Sequence, residues 1–138
     1  MESQSAQAFQ AYMEEKDMHV SFVDDEGKVA RMDFNLDNTD ITIHIFFGED
    51  ERDVHFEGHD FIRIPEDKQN IVYKVCNHCN NSYRWVKFVW DEEHEMVTVQ
   101  ADAVIEPQTC AEECYEIIGR MCGIVKNAYP LFMKAMWA

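Results

Sequence analysis

Residues 65–105 read PEDKQNIVYKVCNHCNNSYRWVKFVWDEEHEMVTVQADAVI, and they contain the clearest pattern in the chain. The segment from Glu66 to about Asn80 predicts a helix, because its apolar residues recur at helical spacing. Pro65 fits the first turn of that helix, where a missing N–H costs nothing. The apolar face consists of Ile71, Val72, Val75, Cys76 and Cys79.

Two predicted strands follow this helix after a break at Asn80-Asn81-Ser82. They run from Tyr83 to Trp90 and from Met96 to Ile105, and the acidic turn 91–94 joins them. A helix followed directly by a hairpin indicates an α+β fold, since hairpin strands pair with each other and need no crossover. Asn80 is expected to end the helix as a C-cap, with contact to a ligand as the alternative.

The composition predicts one domain spanning residues 1–138 with a sizeable core. The chain is 46% hydrophobic and contains nine Phe, five Tyr and three Trp, which is unlike a disordered composition. Its 12 basic and 27 acidic residues give a net charge of −15. Such a charge repels phosphate backbones and anionic lipid, so we expect neither a nucleic-acid nor a membrane partner.

The N-terminus, MESQSAQAF, lacks the apolar run of a signal peptide, and no segment has the ~20 apolar residues of a membrane span. Five cysteines without an export signal predict a cytoplasmic protein with free thiols.

The remaining segments complete an element order of α-β-β-β-(β)-α-β-β-α. Ser3 or Ser5 is expected to cap a first helix that runs to about Lys16. A three-strand meander should then follow over 18–23, 28–36 and 39–47, with Gly27 in the first turn. Residues 54–56 and 61–64 fit an edge strand or an irregular connection. The prediction is an antiparallel sheet of about five strands.

The last predicted helix begins near Thr109. Thr109 and Glu112 match the capping-box pattern T-x-x-E, and Pro130 is expected to interrupt the helix before a short final piece over 131–137. Gly119 and Gly123 either weaken this helix or permit close packing.

Two clusters contain residue types that can bind a metal ion. Cys76 and Cys79 could form a metal site with Cys110 and Cys114, but each of these cysteines lies on an apolar helical stripe, which favours packing in the core. His55 and His59, with Glu57 and Asp60, fall in a probable loop, where ring orientation would be poorly fixed. We expect no metal, no cofactor and no catalytic residue, and the sequence contains no G-x-S-x-G, G-x-G-x-x-G or P-loop motif.

Aromatic residues are concentrated in the predicted hairpin, on both of its faces. Ordinary core packing accounts for part of them, and a protein interface is the alternative, because exposed aromatic patches mark interaction surfaces. The candidate partner contacts are Trp85, Phe88, Trp90 and Trp137.

Three segments, 72–88, 96–102 and 127–135, together resemble the YbjN family over roughly residues 5–137. They read VYKVCNHCNNSYRWVKF, MVTVQAD and NAYPLFMKA. The resemblance implies a single YbjN-like domain with a fold similar to type III secretion chaperones, which is often dimeric. It also implies a regulatory role without an established enzyme activity, and no catalytic residues transfer with it.

The resulting functional hypothesis is a non-enzymatic, chaperone-like or regulatory adaptor that binds a protein segment, with a homodimer left open. Acidic loops would steer it towards basic partners. A metal-binding protein that uses Cys76, Cys79, Cys110 and Cys114 is the alternative, and an enzyme without a visible motif is a weaker third.

Overall fold

The computed structural model describes residues 3–137, which form three helices and six strands in the predicted order. The helices are α1 (Gln4–Glu15), α2 (Gln69–Ser82) and α3 (Cys110–Met136), and a 3-10 turn, Glu66–Lys68, precedes α2. The strands are β1 (Ser21–Phe22), β2 (Val29–Asn35), β3 (Asp40–Phe47), β4 (Asp53–His59), β5 (Lys87–Asp91) and β6 (Met96–Val104).

The strands form one antiparallel sheet in the order β1-β2-β3-β4-β6-β5. The α+β class and the β1–β2–β3 meander are confirmed, and the strand number is six rather than about five. β4 corrects the expectation for residues 54–64, because it lies in the centre of the sheet between β3 and β6. β1 is only two residues long, shorter than the predicted 18–23.

The helices cover one face of the sheet. Phe9 of α1 contacts Phe47 of β3 at a ring distance of 5.7 Å, and Phe132 of α3 contacts Phe88 of β5 at 5.7 Å. α2 packs against β5 and α3. Alternating residues of every long strand fill the single core between these layers. The core includes Ala30, Met32, Ile41, Ile43, Ile45, Val54, Phe56, Val97, Val99 and Ala101.

Gly58 occupies a core position in β4 where any side chain would displace side-chain atoms of the neighbouring strands. A Cβ there would lie 2.7 Å from Ile41 Cδ1 and 2.7 Å from Val99 Cγ1. The neighbouring strands therefore fill the space that a third apolar residue of β4 would otherwise occupy. Because Gly58 has no side chain, the alternation of Val54 and Phe56 with the polar residues of β4 is hard to recognise in the sequence.

The first helix is capped as predicted, and a distant carboxylate adds to the cap. Ala6 N–H donates to Ser3 Oγ at 3.1 Å. Glu51, in the β3–β4 loop, accepts from Ser3 Oγ at 2.6 Å and from Gln4 N–H at 2.8 Å. A carboxylate at a helix N-terminus satisfies free N–H groups and complements the helix dipole.

The last helix differs from the prediction at both ends. Thr109 makes no capping hydrogen bond and donates instead to Glu113 Oε1 at 2.7 Å, so the predicted capping box is wrong. Pro130 lies inside the helix, which continues to Met136. The Lys126 carbonyl, four residues before the proline, accepts a hydrogen bond from Asn38 Nδ2 at 3.0 Å. Asn38 thus replaces the N–H that Pro130 lacks.

Candidate protein-binding surfaces

Trp85 lies in the connection between α2 and β5 rather than in a strand. Its backbone has φ +80°, a left-handed conformation that a bulky residue rarely adopts. Its side chain is 62% exposed. The Arg120 guanidinium lies 5.1 Å from the ring centroid, and Glu116 contacts Arg120 at 3.9 Å. The indole is therefore held against the outer surface of α3 while much of it remains accessible.

The backbone of α3 is open beside this tryptophan. Gly119 and Gly123 have no heavy atom within 4 Å of the position that a Cβ would occupy. These glycines therefore do not permit close packing within the described chain, which was one of the two roles expected for them.

Trp137 follows the end of α3 and is 72% exposed. It borders a cleft of about 330 Å³ that contains the apolar residues Phe61, Ile62, Met133 and Met136. Methionine side chains adapt to differently shaped apolar surfaces. The cleft could hold a few apolar side chains of another polypeptide.

Phe88 and Trp90 lie in a different environment from the two exposed tryptophans. Phe88 is 2% exposed and contacts Phe61 and Phe132, whereas Trp90 is partly buried against the core. Of the four candidate contact residues, Trp85 and Trp137 are exposed and Phe88 and Trp90 support the fold beneath them. The structure brings no two of the four into ring contact among the described residues.

Asn80 does not end α2, which continues to Ser82, so the predicted C-cap is wrong. Its side-chain amide pairs with the backbone of β5 instead. Asn80 Oδ1 accepts from Phe88 N–H at 2.7 Å, and Asn80 Nδ2 donates to Phe88 C=O at 3.2 Å. The amide therefore occupies the outer edge of β5 as a neighbouring strand would.

The face of the sheet opposite the helices is polar and rich in histidine. His55 and His59 lie on β4, not in the predicted loop. His44 Nδ1 lies 2.7 Å from His59 Nε2, and the two rings stack with centroids 4.8 Å apart. Burial lowers the pKa of His44, and the neighbouring His59 adds to this effect. His59 also contacts Asp60 at 2.9 Å.

The second part of this polar face is centred on His55. Its Nδ1 lies 2.7 Å from Asp102 and its Nε2 lies 3.4 Å from Glu57. The rings of Phe46 and His55 are 5.7 Å apart. This histidine arrangement was not predicted, because residues 54–56 were assigned to an edge strand or an irregular connection and His55 and His59 to a loop. The alternation of His55, Glu57 and His59 was the available signal.

The cysteines are free and mostly buried. Burial raises the pKa of Cys76 to about 12 and that of Cys79 to about 11, and it also raises the pKa of Cys114. Thiols in this state are protonated at neutral pH, whereas metal binding requires thiolate. Across residues 3–137, no group of three or more His, Cys, Asp or Glu side chains is placed to hold a metal ion.

No helix within the part of the chain that the structure describes is both long and apolar enough to span a bilayer.

Comparison with known proteins places this architecture in a family. The chain resembles the crystal structure of YbjN from E. coli, described as a putative transcription regulator, with a TM-score of 0.65, 11% identity and 90% coverage of both chains. It also resembles the crystal structure of the ExsC–ExsE complex, with a TM-score of 0.58, 16% identity, and coverage of 93% of this chain and 92% of the other.

At these identities the two structures show a shared fold. No curated protein sequence matches the chain. The YbjN family, described as "Putative bacterial sensory transduction regulator", matches residues 5–130. The chain therefore belongs to the YbjN family.

Proposed function

We propose that the protein is a non-enzymatic adaptor or chaperone-like regulator that binds a segment of another protein. The observation that carries this proposal is the pair of exposed tryptophans, Trp85 and Trp137, beside two accessible parts of α3. Exposed aromatic side chains near open backbone and an apolar cleft are typical of protein interaction surfaces. The similarity in fold to the ExsC–ExsE complex supports the same class of function.

The two tryptophans mark separate points on α3. Arg120, under Trp85, precedes Trp137 by seventeen residues, so the two points are about 25 Å apart along a helix. An extended segment or a helix that follows α3 is long enough to contact both points. Such a contact combines two small apolar anchors rather than one deep pocket.

The acidity of the protein favours a basic partner. The net charge of −15 produces a negative field that speeds the encounter with a positively charged segment and slows it with an acidic one.

The proposal is tested by affinity capture from the native cell lysate with the full chain as bait. The test variant is Trp85→Ser with Trp137→Ser, and the matched control is Val104→Ser, which changes a residue that is 84% exposed on β6. We expect the wild type and the control to capture the same protein and the double tryptophan variant to lose it. Capture of the same protein by all three baits would contradict the proposed surface.

Sedimentation of the captured complex and of the purified chain then identifies what is bound. A complex heavier than the chain alone, with a second protein in defined proportion, is the expected result. If only further copies of the chain itself are recovered, self-association replaces the adaptor function.

A further inference from the structure

The two outer edges of the sheet are not equivalent. At one edge, the side chain of Asn80 binds the N–H and C=O of Phe88 in β5. At the other edge, β1 is two residues long and pairs only with Ala30 and Arg31 of β2. The rest of β2 extends beyond the end of β1.

The hydrogen-bond pattern shows which groups of β2 this short strand leaves open. Phe47 N–H donates to Lys28 C=O on the β3 side, and Val23 N–H donates to Val29 C=O on the β1 side. Main-chain groups alternate in direction along an antiparallel strand. Those of Asp33 and Asn35 therefore face the outer edge, past the last β1 pair at Arg31.

A cleft of about 370 Å³ lies next to these groups. It is bordered on the far side by the chain between α1 and β1, including Asp17 and Met18, and on the near side by Met32, Asp33 and Phe34. An extended segment placed there would have main-chain partners from β2. Its side chains would alternate between Met18 and Phe34 on the core side and Asp33 on the polar side.

We infer that the open edge of β2 binds a basic, extended segment of a partner protein as an added strand. This inference rests on the proposed protein-binding function and adds the partner's conformation and composition. Alternating basic and apolar residues suit the site, since Asp17 and Asp33 line the cleft and Arg31 is the only lysine or arginine among the described residues around it. A second copy is a poor occupant, because each chain carries a charge of −15.

The first test uses the full chain and a synthetic heptapeptide of alternating lysine and valine. A peptide of the same composition in the order KKKKVVV controls for charge. We expect the alternating peptide to bind at least about tenfold more tightly, because strand pairing adds main-chain hydrogen bonds to the attraction of charge. Nuclear magnetic resonance should show shifts and slowed exchange at the amides of Asp33 and Asn35. Equal binding of both peptides, with shifts spread over the acidic loops, would overturn the inference.

The second test changes the edge itself. Asp33→Pro removes an N–H that faces away from β3, so no bond within the sheet is lost. Asp33→Asn is the matched control, since it removes the charge and keeps the N–H. We expect Asp33→Pro to abolish the binding and Asp33→Asn to weaken it only slightly. Wild-type affinity in Asp33→Pro would overturn the inference.

A third measurement does not depend on the folding of a variant. A residue paired with Asp33 or Asn35 has its side chain on the polar face, so the lysines of the peptide would donate their N–H groups to β2. The alternating peptide methylated on the backbone nitrogens of its lysines keeps its charge but cannot donate to β2, and its binding should fall to that of KKKKVVV. Unchanged binding would again overturn the inference. The proposed function is judged separately: loss of the captured protein in the double tryptophan variant, with retention in Asp33→Pro, would support the adaptor and reject the edge site.

Discussion

His44 on β3 lies between charged and ionisable side chains of two neighbouring strands, β2 and β4, so its pKa differs between the folded and the unfolded state. Burial, His59 on β4 and Arg31 on β2 lower its pKa, whereas Glu57 and Asp33 act in the opposite direction. The folded pKa lies below the ordinary value of 6.5. Well above pH 6.5, His44 is neutral in both the folded and the unfolded state. Below pH 6.5, the unfolded state binds a proton at His44 more readily than the folded state does.

We therefore expect His44 to make the protein less stable as the pH falls below 6.5. The variant His44→Asn should lose less melting temperature between about pH 7.5 and about pH 5.5 than the wild type, as measured by circular dichroism. His19→Asn, at an exposed position, should behave like the wild type. An identical pH dependence in wild type and His44→Asn would show that the histidine pair does not contribute.

Asn80 gives a second prediction for a single residue. Asn80→Ala removes both hydrogen bonds to the Phe88 backbone, and at about 1 kcal/mol each the free energy of unfolding should fall by about 2 kcal/mol. Asn81→Ala is the control, because the side chain of the adjacent exposed Asn81 makes no hydrogen bond within the described chain. Urea denaturation measures both values. Equal effects of the two substitutions would mean that the edge contact contributes no stability.

At the scale of elements, the most informative contact joins the β2–β3 turn to α3. Asn38 donates to the Lys126 carbonyl at 3.0 Å, and Asp37 binds the Lys126 ammonium at 3.1 Å. Pro130 removes the helical N–H donor for that carbonyl, and Asn38 in the turn supplies a donor in its place. This is the arrangement that links the turn to the proline.

This arrangement predicts a coupling between Asn38 and Pro130. In the wild type, Asn38→Ala should cost about 1 kcal/mol of unfolding free energy, because it leaves the Lys126 carbonyl without its partner. In a Pro130→Ala background the same change should cost less, since the alanine introduced there supplies the missing N–H. A double-mutant cycle by urea denaturation gives the difference. Additive effects would contradict the arrangement.

Sequence periodicity predicted elements well where apolar residues repeat without a gap. β3, with Ile41, Ile43 and Ile45, is one residue shorter than predicted, and α1 ends one residue earlier. β4 was predicted only as an edge strand or an irregular connection, because Gly58 removes one apolar member from its alternation. The continuous α3 could not have been foreseen, since the group that compensates for Pro130 belongs to Asn38, 88 residues before the carbonyl that it binds.

The candidate surface was only partly accessible to sequence reasoning. The four aromatic candidates were chosen by residue type, which cannot separate an exposed Trp85 from a buried Phe88. The alternation rule assigned Trp85 to a strand face, but its left-handed backbone takes it out of β5 altogether. Exposure is set by the packing of α2 and α3, which no local pattern describes.

At the scale of the whole molecule, the charge of −15 should weaken the folded state at low ionic strength. The melting temperature should rise with sodium chloride up to about 0.3 M as repulsion between carboxylates is screened. Glu14→Gln with Glu15→Gln should reduce this response and raise the stability at low salt, because both acids lie in the last turn of α1, next to the negative end of its dipole.

The control for this prediction is Lys74→Gln, which changes an exposed residue and makes the net charge more negative by one. It should lower the melting temperature at low salt and increase the salt response. A salt response of the same size in all three proteins would show that general charge repulsion is not the cause.

The amide of Asn80 also limits how copies of this chain could assemble. A linear polymer built by continuing one sheet through many molecules needs two free edges on every subunit, so that each subunit has a neighbour on both sides. Here Asn80 binds the N–H and C=O of Phe88 at one of the two edges, so this edge offers another copy fewer free main-chain groups than β2 does. The side chain therefore hinders strand pairing between copies at the β5 edge.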